Sequence, residues 1–191
     1  MITDLGRRVL IDFEPDEFRL TGWSKYRPIT TSPGGNIFAQ TGTDARAPTF
    51  DVDVDGSDVV VTRVQGRIAI QRAQSWVVTG HDTNELLEHE QGHYYITYIT
   101  YVRMLQAIRD LRVVRSSAAS LPAGHHRQTS MHNAITRLVQ PLLSTAQTRM
   151  SQLTTQYDAL LPPGTDHGRN RPEQAAWNAR FASSLVSGAA L

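Results

Sequence analysis

The sequence predicts an α+β fold, with strands over about residues 1–80 and helices over 82–191. Two features of the chain predict it. Short alternating apolar runs broken by Gly and Pro give way at Asp82 to apolar positions spaced three and four apart. The 191 residues contain no repeat and no long linker, a length that one domain ordinarily fills.

Taken in order, Val9-Leu10-Ile11-Asp12-Phe13 is a short apolar run of strand type, and Pro28, Pro33, Gly34 and Gly35 punctuate the next stretch. Phe50 to Val54 alternates apolar and polar, Asp55-Gly56 comes next, and Val59 to Val61 resumes the apolar pattern, which predicts a hairpin. Asp51, Asp53, Asp55 and Gly56 also resemble the opening of a calcium loop, but its twelfth position requires a bidentate Glu and holds Thr62, so the hairpin is preferred. Ile68-Ala69-Ile70 and Trp76-Val77-Val78 are expected to complete an antiparallel meander.

Asp82, Thr83 and Asn84 are all N-cap types, with Glu85 and Glu88 in the first turns, so a helix starts here. Leu87, Tyr94, Tyr98, Tyr101, Leu105 and Ile108 keep helical spacing. The tract Tyr95 to Thr100 has strand-type residues, but burial commonly overrides propensity and the helix is kept. Ser116 to His126 has loop composition. A second helix places Ile135, Leu138, Leu142, Ala146, Met150, Leu153 and Tyr157 on one face, with Pro141 expected to kink or restart it. Leu161-Pro162-Pro163-Gly164 ends that helix. A last helix opens after Asn170, with Pro172 and Glu173 in its first turn, and buries Gln174, Trp177, Phe181 and Leu185.

Composition narrows the function. With 40% hydrophobic residues the chain can build a core, and a net charge of +1 argues against nucleic acid or an anionic membrane surface as partner. No run reaches the roughly 18 apolar residues of a membrane span. The first 20 residues carry Asp4, Asp12, Glu14 and Asp16, so no signal-peptide stretch is expected there. There is no cysteine, so any metal must be held by His, Asp or Glu.

His89-Glu90-Gln91-Gly92-His93 is a His-Glu-x-x-His pattern on an expected helix. Four residues are about one turn, which brings both imidazoles to one face where they can share a zinc ion. Glu90 lies beside the metal rather than on it, placed to take a proton from a water that zinc has acidified. The pattern predicts peptide-bond hydrolysis with one zinc per chain. Candidates for a third ligand are His125, His126, His132, Asp158, Asp166, His167 and Glu173.

The block His89 to Ile96, taken with Tyr157-Asp158, Thr165-Asp166-His167-Gly168 and Gln174-Ala175-Ala176-Trp177, resembles the bacterial family called domain of unknown function 922, described as predicted secreted zinc-dependent proteases. The likeness covers about residues 68 to 187, and Leu160 to Gly164 departs from it with a longer stretch before His-Gly. It implies a zincin-like α+β fold: an N-terminal antiparallel sheet, the active-site helix and two further helices. It implies His167 as the third ligand, ahead of Glu173, and a location in the cell envelope or outside the cell. Tyr157 is then expected to stabilise an oxyanion or to pack in the core, Asp158 to orient a ligand imidazole, and Gln174 and Trp177 to lock the last helix. In zincin peptidases an edge strand holds extended substrate, a role expected of Ile68 to Val78. The expected activity is zinc-dependent endopeptidase action on a peptide or protein. The alternatives are a zinc hydrolase of a cell-wall or other non-protein amide, and a non-catalytic protein with a structural zinc.

Overall fold

A computed structural model describes residues 2–3, 10–14, 22–56, 58–114 and 125–191, with side chains over 22–56, 58–114 and 128–191. In chain order the elements are β1 (Ile2–Thr3), β2 (Leu10–Glu14), a 3-10 turn (Gly22–Lys25), β3 (Arg27–Ile29), β4 (Ala39–Gln40), β5 (Thr43–Ala45), β6 (Thr49–Asp55), β7 (Asp58–Ile70), β8 (Trp76–Val78), α1 (Asn84–Arg109), β9 (Arg112–Val114), α2 (His125–Asp158) and α3 (Arg171–Ser187). The fold is α+β, with β1 to β8 ahead of three helices and β9 between α1 and α2. Most of the loop expected over Ser116 to His126 lies outside the described residues, and His125 and His126 already belong to α2.

Two compact units are present: Met1–Glu14 with Arg46–Arg67 and Val102–Gln147, and Pro15–Ala45 with Ile68–Tyr101 and Thr148–Leu191. In the first, β6 and β7 form the expected hairpin, Asp55 pairing with Asp58 across Gly56, whose φ of +61° suits glycine. The register steps from Val52–Val61 to Asp51–Arg63, leaving Thr62 as an extra residue. One extra residue reverses which side chains face inward. Burial accordingly changes from odd positions (Val59, Val61) to even ones (Val64, Ile68, Ile70), and a single 13-residue strand reads in the sequence as two runs. β2 pairs with β7 in parallel and β9 pairs antiparallel at its start. The buried line of α2 in this unit is Ile135, Val139 and Ala146; Leu138, expected there, is 41% exposed because it falls beside that line. α2 runs through Pro141 without a restart, and Pro141 is on its exposed side, where water can serve the carbonyl left without a donor.

In the second unit β8 is the middle strand of a small sheet, parallel to β3 and antiparallel to β4. The last three residues of β7 pair with β5. The expected meander from Ile68 to Val78 is therefore replaced by two separate pairings, and β8 has no free edge to offer an extended chain. α1 starts where the caps indicated: the Leu86 N–H donates to Thr83 Oγ1 at 3.2 Å. Between His89 and Tyr101 this helix is buried on nearly every side, which explains how strand-type residues can be helical there. Ile96 and Ile99 pack with Leu153, Tyr157, Trp177 and Phe181, side chains whose burial contributes about 1.5–3 kcal/mol each. α3 buries Gln174, Trp177, Phe181 and Ser184, while Leu185, expected among them, is 43% exposed. Gly188, left-handed at φ +68°, closes it by donating to Ser184 O. Among the described residues no helix is long and apolar enough to cross a membrane.

Candidate metal centre

Three segments of the second unit supply the site. The one-turn spacing on α1 puts the Nε2 atoms of His89 and His93 3.2 Å apart. The end of α2 supplies Tyr157 and Asp158, and the loop from Ala159 to Asn170 supplies Thr165 and His167. That loop is fixed by main-chain bonds from Thr165 N to Tyr157 O (2.8 Å) and Asp166 N to Ala159 O (3.1 Å), and by the Trp177 indole donating to Pro163 O at 2.7 Å. Asp166, His167 and Gly168 are all left-handed, at φ +47°, +51° and +82°. Non-glycine residues in that region cluster at functional sites.

His89 is fully buried and its ring lies flat against Tyr157, centroids 4.6 Å apart. Its Nδ1 is 3.1 Å from Thr165 Oγ1, and that hydroxyl donates to Tyr157 O at 2.8 Å. With its single proton committed to a carbonyl, Thr165 can only accept from His89. Nδ1 therefore carries the proton of the neutral ring, and the Nε2 lone pair points into the site.

Asp158 Oδ1 meets that lone pair, 3.2 Å from His89 Nε2 and 3.1 Å from His93 Nε2. It is buried and accepts no hydrogen bond of good geometry. Lone pairs turned towards each other at such distances repel unless a proton or a cation lies between them. Burial opposes protonation of His89 and lowers its pKa. At His93 burial acts the same way, but the Asp158 carboxylate outweighs it and the pKa is raised. Burial alone would raise Asp158; the two imidazoles reverse this and hold it well below the usual carboxylate range. A cation fits this donor set of two imidazoles and a carboxylate.

Buried His89 and Glu90 and partly buried His93 present one ligand atom each within 4.8 Å of one another, close enough to hold a metal ion, and His89, Asp158 and His167 form a second such group. His167 is brought to the site, with Nδ1 3.9 Å from Asp158 Oδ1. Glu173 belongs to neither group. His132 lies in the other unit, stacked on Phe50, and the side chains of His125 and His126 lie outside the described residues.

Of the two places expected for Tyr157, the structure shows the core one, packed with Ile96, Leu153, Trp177 and Phe181. Its hydroxyl donates to His89 O at 3.1 Å and receives the Gln174 amide at 2.7 Å, wholly buried. Burial pushes the phenol far above its usual pKa and keeps it a neutral donor. It braces α1, and Gly92 is the residue that lets it pass, since a Cβ there would sit 2.1 Å from the Tyr157 oxygen.

The sequence reading missed Tyr26 and Thr41. Thr41 Oγ1 donates to Glu90 Oε2 in a short hydrogen bond, so it must accept the 2.6 Å bond from the Tyr26 hydroxyl. Together they fix one oxygen of a Glu90 side chain that is only 2% exposed. No local pattern announces a relay whose members are 15 and 49 residues apart. Thr165 had a signal, its place in Thr-Asp-His-Gly, but its contact with His89 spans 76 residues. No family model, curated protein or solved structure matches this chain.

Proposed function

We propose that this chain is a zinc-dependent endopeptidase. The observation that carries the reading is the convergence of the His89 and His93 Nε2 atoms with an unpartnered Asp158 oxygen, one helical residue from a held carboxylate, Glu90. Nitrogen and oxygen donors without thiolate suit zinc. When bound, zinc supplies Lewis acidity: it polarises a carbonyl and makes a water acidic near neutral pH. His89 and His93 would hold the ion, with Asp158 and His167 both close enough to supply a third ligand. Glu90 takes the proton released as water adds to the peptide carbon and returns it to the nitrogen as the C–N bond breaks. Thr41 and Tyr26 keep that carboxylate in one rotamer.

The resemblance to domain of unknown function 922, with a zincin-like arrangement and a location outside the cytoplasm, belongs to this proposal. A closed structural zinc is the competing reading, favoured by the nearness of His167 as a fourth ligand, because structural sites carry four protein ligands and catalytic ones three.

The test is a mixed peptide library incubated with the protein after chelation and again after zinc is restored. Cleavage that appears only with zinc supports the peptidase. No cleavage in either state overturns it, and a non-protein amide run beside the library, if it alone is cleaved, would reassign the substrate.

A further inference from the structure

We infer that Asp158, not His167, is the third protein ligand of the metal, an assignment that rests on the proposed metal site. A tetrahedral zinc with bonds of about 2.0–2.1 Å holds its ligand atoms roughly 3.3–3.4 Å apart. The three atoms His89 Nε2, His93 Nε2 and Asp158 Oδ1 form a near-equilateral triangle with sides of 3.2, 3.2 and 3.1 Å. That triangle has the size of one face of such a tetrahedron. His167 Nδ1 is 3.9 Å from the carboxylate oxygen, outside that spacing.

Chemistry agrees with the distances. Asp158 Oδ1 is buried and accepts no hydrogen bond, the state of a ligand atom whose partner is a cation. An oxygen serving only to orient an imidazole would receive an Nδ1 proton, as in carboxylate–histidine–metal triads. Asp158 instead faces Nε2 of both rings, and on His89 the orienting place at Nδ1 is filled by Thr165. Asp158 also closes α2, so its backbone is set by a helix, whereas His167 sits among three left-handed residues of a loop. His89, His93 and Asp158 make three protein ligands, the number that catalytic zinc sites carry. His167, 31% exposed, then stands beside the metal without ligating it.

X-ray absorption at the zinc edge of the full chain, loaded with one equivalent, decides the point without any substitution, because imidazole rings give multiple-scattering features that carboxylates lack. Two imidazoles with oxygen in the remaining positions are expected. Three imidazoles would overturn the assignment while leaving the metal site standing. A chain that retains no zinc would overturn the site itself. Competition with a chromophoric chelator gives a second readout: Asp158→Asn should weaken zinc binding by more than the roughly 10–100-fold of an outer-shell change, and His167→Ala by less than about tenfold. The reverse order would name His167 as the ligand.

Discussion

The two compact units bury different kinds of residue. In the first, the buried side chains among the described residues are aliphatic or Met: Val59, Val61, Val64, Ile135, Val139 and Ala146, joined by Met104, Leu105, Ile108 and Met131. The second holds every buried polar or charged residue found among the described residues: Ser75, His89, Glu90, Thr97, Thr100, Thr165, Gln174 and Ser184. An unsatisfied buried polar group costs about 1–3 kcal/mol, so such groups are expensive unless each finds a partner. Around the site the partners are in place, with Thr165 between His89 and Tyr157, Gln174 between Tyr157 and Asn178, Thr97 on His93 O and Glu90 under Thr41, while Asp158 Oδ1 is left for a cation. Hydrophobic burial is enough to hold a unit together. A connected polar network additionally fixes where particular atoms stand, which a site needs and a plain core does not.

Substitutions can sharpen this contrast. The largest difference is expected between two histidines on helices: His93→Ala should abolish stoichiometric zinc binding, and His132→Ala, removing a ring stacked on Phe50 in the first unit, should leave it intact. Zinc content after desalting measures both, and equal loss in the two would break the comparison. Next, Thr165→Val should weaken zinc binding by roughly 10–100-fold, because nothing then holds the proton on His89 Nδ1, and Thr165→Ser should restore most of it. A chelator titration reads this, and a Ser variant as weak as Val would show that packing rather than the hydroxyl matters. A smaller effect, on stability, is expected from Gly92→Ala. Its Cβ must displace the buried Tyr157 hydroxyl, and overpacking of this kind costs about 1–3 kcal/mol in denaturant unfolding.

Much of this contrast could be read from the chain. The β6–β7 hairpin, the Thr83 cap, the helical course of Tyr95 to Thr100 and the bounds of α3 all come from local patterns, and so did His89, Glu90 and His93. What failed was long-range or depended on one residue. The bulge at Thr62 splits a continuous strand into two apparent runs, and strand direction leaves no trace in alternation, so the parallel pairings of β2 and β3 were not foreseen. Leu138 and Leu185 are apolar residues at the margin of a buried stripe, where spacing alone cannot decide. The end of the apolar stripe places Tyr157 in the core, but the partners of its hydroxyl, His89 O and Gln174, lie 68 and 17 residues away and leave no local pattern.

The central claim, that Glu90 acts beside a metal it does not hold, is tested most directly by comparing the parent with Glu90→Gln in one experiment that measures bound zinc and peptide cleavage together. The account predicts one zinc in each and cleavage lost from the variant by roughly 10²–10⁴-fold, the range of a general base. Undiminished cleavage by the zinc-loaded variant would contradict it.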